Sequence, residues 1–117
     1  LMPAVEHDQV LAATSHLPHI LAFTMMNHLN HSTNHPEDLL RFAGSGLRDF
    51  TRIASSSPEM WRDICLANRE ALLKQIDAYQ NELSALQEML KNNDGDALEQ
   101  AFSQARGVRE NWLKSKG

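Results

Sequence analysis

Apolar residues near the start of the chain recur on more than one side of a helix. Val10, Leu11, Ala13, Leu17, Ile20, Leu21, Phe23, Met25, Met26 and Leu29 form this set, and a helix apolar nearly all round is buried by neighbours on several sides. Residues 3–31 are therefore predicted to form one long central helix. Pro3 suits its first turn, and Glu6 and Asp8 suit its positive end. Pro18 lacks the N–H that would bond the carbonyl of Thr14, so a kink or break is expected there.

Residues 30–38 are polar and rich in turn formers. Pro36 can open a helix of about two turns over 36–43, ending at Gly44. A small-residue loop, Gly44-Ser45-Gly46, then leads into a short helix over 46–56 that carries Arg48 and Arg52, four apart and so on one face. Ser57 is the predicted N-cap of the next helix, with Pro58 at N1 and Glu59 behind it. From there an apolar seam runs through Trp61, Cys65, Asn68, Leu72, Ile76, Tyr79, Leu83, Leu86 and Leu90. Its alternating steps of three and four are those of a helix packing lengthwise against other helices. About 33 residues at ~1.5 Å each give a rod of roughly 50 Å, longer than a small monomeric core supports. Asn92–Asp96 is a turn, with Asp94 or Asp96 as the next cap. The last helix, about 95–114, carries the seam Leu98, Ala101, Phe102, Ala105, Val108 and Trp112. The short connection predicts an antiparallel hairpin, with a frayed tail at 114–117.

Composition narrows the class. Valine occurs only at positions 5, 10 and 108, no run alternates like a strand, and Leu, Ala, Glu, Gln, Met and Lys dominate. The fold class is all-α, and 117 residues make a single domain. With 42% apolar residues the core is modest, so a core shared in a dimer is expected. Net charge is −4 with signs interspersed, which argues against a nucleic-acid partner. No run reaches the length of a membrane span, and the start lacks a signal-peptide pattern. The single cysteine, Cys65, excludes an internal disulfide and fits a reducing compartment. The expected location is the cytoplasm. A first residue other than Met fits a piece cut from a longer protein.

Several residue types could carry chemistry. Ser15-His16-Leu17-Pro18-His19 puts two histidines on roughly one face, either pointing into a pocket at the proline distortion or capping the core edge. His28, His31 and His35 lie in an exposed-looking connection, where a metal is a rival reading. Arg48 and Arg52 suit capture of a carboxylate or phosphate; alternatively they form a solvated face with Asp49 as ion-pair partner. Gly44-Ser45-Gly46 offers backbone N–H groups to an anion, or a helix C-cap followed by a turn. Trp61 is a pocket wall or a core residue. Among these residues there is no catalytic triad, paired carboxylates or phosphate-loop motif.

These segments together resemble the C-terminal helical domain of prephenate dehydrogenases, including cyclohexadienyl and arogenate dehydrogenases. The matching stretches are His7-Asp8, Ser15 to His19, Phe42 to Ala54, Pro58 to Ile64 and Asn68-Arg69-Glu70, in the family's order over about residues 5–75. The resemblance implies a domain that forms a homodimer by interlocking long helices, behind an N-terminal Rossmann domain that this chain lacks. The implied reaction is oxidative decarboxylation of prephenate: hydride leaves C4 for NAD or NADP, carbon dioxide leaves the ring, and 4-hydroxyphenylpyruvate forms. Some relatives take arogenate and yield tyrosine.

By the same resemblance Arg52 binds a substrate carboxylate and His19 lines that site, with His16 beside it. Arg48 stands where the family has a basic residue at the pocket mouth, Trp61 is a wall or gate, and Gly44, Ser45 and Gly46 form a loop near the substrate. Tyrosine is an implied inhibitor at this site. The family's hydroxyl-polarising histidine belongs to the absent domain, so no catalytic, cofactor-binding or metal-binding residue is assigned here. The chain is expected to be inactive alone. The alternative is a non-enzymatic helical adaptor or oligomerisation module that uses the 61–90 seam.

Overall fold

A computed structural model describes residues 2–116, and every element in them is helical. They are α1 (Ala4–Leu11), a π-helical turn (Ala12–His16), α2 (Leu17–His31), α3 (Pro36–Leu40), α4 (Ser45–Thr51), a 3₁₀ turn (Arg52–Ser55), α5 (Pro58–Ala67), α6 (Arg69–Lys91) and α7 (Gly95–Lys116). The chain divides into two compact units, Leu1–Ile76 and Asp77–Gly117, with the boundary inside α6.

In the first unit α2 is central, as its all-round apolar pattern requires. It packs against the π-helical turn, the 3₁₀ turn, α4 and α3. The buried core is small: Ala12, Leu17, Ala22, Trp61 and Leu72. Ile20, Leu21, Phe23, Met25, Met26 and Leu29 are only half-buried, so the chain does not cover all of α2. The disturbance expected at Pro18 takes the form of the wide π-helical turn, which ends at His16. Pro18 thus falls in the first turn of α2, where its missing N–H costs little.

Two boundaries differ from the pattern. The predicted 46–56 helix tightens into the 3₁₀ turn at Arg52. The rod from 58 to 90 is interrupted at Asn68, whose φ of −120° and ψ of 38° leave helical geometry. Ladder bonds continue on either side, from Asn68 N to Ile64 O and from Leu72 N to Asn68 O. The cap at Ser57 accepts from Met60 N at 3.2 Å. Asp94 is the cap of α7, accepting from Ala97 N at 3.0 Å.

In the second unit a tight turn joins the end of α6 to α7. Asn93 there has φ 51°, the left-handed conformation that ends many helices. Half-buried positions cluster beside this turn, at Leu86, Met89, Ala97, Leu98 and Ala101. Farther along, Leu83, Phe102, Val108, Trp112 and Leu113 are exposed. The turn-linked pair is present, but its seams are not covered within the chain.

Candidate functional site

The site grows from α2 and what rests on it. The His19 ring stacks on Trp61, with centroids 3.9 Å apart and planes 17° from parallel. His16 meets the same indole edge-on at 6.0 Å and 79°. Trp61 is 8% exposed and comes from α5, so it is a core residue that also carries the two imidazoles. His19 Nδ1 lies 2.8 Å from Ser15 O. A carbonyl only accepts, so Nδ1 donates and Nε2 carries the lone pair in the neutral ring. His16 is pushed below its usual range, first by burial and then by His19, while Asp8 opposes the shift. On α5, burial pushes the Cys65 thiol up, which favours its protonated form.

Asn68 enters the site although no pocket role follows from its place on the seam. Its Nδ2 donates to Asp8 O at 2.8 Å and lies 3.2 Å from His16 Nδ1. The signal was a carboxamide in an otherwise apolar seam. A buried or half-buried amide needs partners, and these partners come from α1 and the π-helical turn.

Arg48 and Arg52 border a cleft of about 570 Å³ with Phe23, Met26, Asn27, Thr51, Ala54 and Ser55. Both arginines are exposed, and among the described residues neither pairs with Asp49 or another carboxylate. The face is solvated, as one reading of the sequence has it, but without the ion pair to Asp49. His19, Phe23 and Asn27 recur every four residues and so share one face of α2. That face carries the stacked rings at one end and the cleft beside the arginines at the other.

Gly44, Ser45 and Gly46 are exposed at the start of α4. Gly44 is its N-cap, with extended φ −91° and ψ −177°, so the C-cap reading is corrected: α3 has already ended, at Leu40. A Cβ on Gly44 or Gly46 would meet nothing within 4 Å. His28, His31 and His35 are exposed, and His35 Nδ1 stands 3.8 Å from Glu37 Oε1. Among the described residues no group of three metal-ligating side chains converges.

These features define an all-helical domain with a cleft bordered by two arginines and with partly exposed helix seams. Residues 3–104 match the family described as "Prephenate dehydrogenase, dimerization domain", and the chain belongs to that family. It is 39% identical over 117 residues to prephenate dehydrogenase of Bacillus subtilis, covering 99% of this chain and 32% of that protein. Against cyclohexadienyl dehydrogenase of Zymomonas mobilis it is 36% identical, covering 93% of this chain and 38% of the relative. The solved prephenate dehydrogenase from A. aeolicus, in complex with hydroxyphenyl propionate and NAD+, matches with TM-score 0.87 and 38% identity over 94% of this chain and 38% of that one. Synechocystis arogenate dehydrogenase matches with TM-score 0.86 and 27% identity, over 96% of this chain and 41% of that chain. The chain thus spans about a third of the length of the curated relatives it matches.

Proposed function

We propose that this chain supplies the pairing surface and one pocket wall of a dehydrogenase that oxidatively decarboxylates prephenate or arogenate. The observation that carries the reading is the single face of α2 that joins the His19–Trp61 stack to the cleft of Arg48 and Arg52. Such a substrate has a cyclohexadienol ring and two carboxylates. Stacked aromatic surfaces suit the ring, and guanidinium forks suit the anions. His16 packs against the same Trp61, and the exposed Gly44, Ser45 and Gly46 are proposed as a loop near the substrate. Tyrosine, which shares a ring and a carboxylate with the reaction's products, is the proposed inhibitor at the same wall.

The described residues contain no β-strand, and the sequence has no Gly-x-Gly-x-x-Gly. They do not fit a dinucleotide fold, so the nicotinamide cofactor, NAD or NADP, is assigned to a part of the parent enzyme outside this chain. The parent is proposed to be a cytoplasmic homodimer paired through α6 and α7. Among the described residues, no helix is long and apolar enough to cross a membrane.

Arg52→Ala in the full-length parent tests the pocket. It should raise KM for prephenate by about ten-fold or more, since a lost charge-assisted bond costs about 1.5–3 kcal/mol. An unchanged KM would remove Arg52 from the site and the reading with it.

A further inference from the structure

Asn68 links three segments that are distant in sequence: α1 through Asp8, the π-helical turn through His16, and the α5–α6 junction on which it sits. We propose that Asn68 is a positioning residue that fixes His16 as its neutral Nε2–H tautomer and so holds the His16–Trp61–His19 group in place. The proposal rests on the pocket reading above for its purpose, but not for its chemistry.

The chemistry follows from one acceptor. Asp8 O accepts and cannot donate, so the amide atom 2.8 Å from it must be the NH₂ group. The same nitrogen has a second hydrogen, and His16 Nδ1 lies 3.2 Å away. A proton on that Nδ1 would set two donors face to face. Nδ1 therefore keeps its lone pair and Nε2 carries the hydrogen. His19 is held the opposite way, its Nδ1–H engaged by Ser15 O. The two rings against Trp61 thus differ at Nε2, a donor on His16 and an acceptor on His19. The titratable groups acting on His16 are His19 of α2 and Asp8 of α1. Asn68 itself is neutral at every pH, so its influence is through hydrogen-bond direction alone. Asn68 makes both contacts from a backbone that leaves helical geometry.

The test uses 15N-histidine-labelled full-length parent, with His16→Gln to assign the His16 signals. Wild type should show a protonated Nε2 and a bare Nδ1 on His16. Asn68→Asp keeps the shape but turns the donor into an acceptor. It should place a proton on Nδ1, move the acidic limb of the kcat/KM profile to higher pH, and lower kcat/KM for prephenate by about ten-fold. Asn68→Ala should relax the ring to the intrinsic tautomer mixture of a free imidazole, with an Nδ1–H population that wild type lacks. A purely structural role for Asn68 would lower the melting temperature in both variants and leave the ring signals alone, which would overturn the proposal. A wild-type His16 with Nδ1 protonated would overturn it even if neither variant folds. A tautomer that moves with unchanged kinetics would support the positioning and overturn the pocket reading instead.

Discussion

Trp61 is the residue the site is built on, because one imidazole stacks on it and a second meets it in a T-shaped arrangement. His16 pays for that arrangement in basicity. Its folded pKa lies below the unfolded value of 6.5, through burial first and His19 second. The unfolded chain therefore binds more protons there, and stability rises with pH. The contribution is fully present above 6.5 and is lost as pH falls through the folded value. Urea midpoints measured between about pH 5 and 8 should fall on acidification, and His16→Gln should flatten part of that slope. An identical slope in the variant would show that His16 is not buried neutral. At this scale the sequence was partly legible. The spacing of His16 and His19 put them on one face, and Arg48 and Arg52 on another. Spacing alone could not say that His19 and Trp61, 42 positions apart in the chain, would stack.

Elements followed local rules wherever a local rule decides. Ser57-Pro58-Glu59 and Asp94 opened helices as their chemistry dictates. Asp94→Ala should cost about 0.5–2 kcal/mol, the usual worth of an N-cap, read as a lower denaturation midpoint. A change within error would mean that the α6–α7 turn holds without its cap. The misreadings share a physical cause: the deciding partner is remote. The interruption at Asn68 rests on bonds to residues 60 and 52 positions away, which no window of periodicity contains. Gly44 misled for another reason. Glycine serves both ends of helices, and only the extended backbone found here identifies it as the start of α4. The π-helical turn is intermediate. Pro18 announced a disturbance, but its conversion into a wide turn is one of several ways to accommodate the proline.

The whole molecule leaves apolar surface uncovered in both units. Phe42 is 82% exposed and Phe102 58% exposed, and much of α2 is only half-buried. The three-four spacing of the seams made an unmet partner legible in the sequence; the structure buries Trp61 and Leu72 but leaves Tyr79, Leu83, Leu90, Phe102, Val108 and Trp112 exposed. The family's dimerization-domain description supports the proposed occupant, a second copy of the chain. Burying an apolar side chain contributes about 1.5–3 kcal/mol, so a few seam residues closing together outweigh much of the cost of association. Sedimentation equilibrium of the chain at micromolar concentration tests this most directly. A dimer that dissociates on Phe102→Asp or Leu83→Asp is the predicted result. A wild-type chain that remains a stable folded monomer would contradict it.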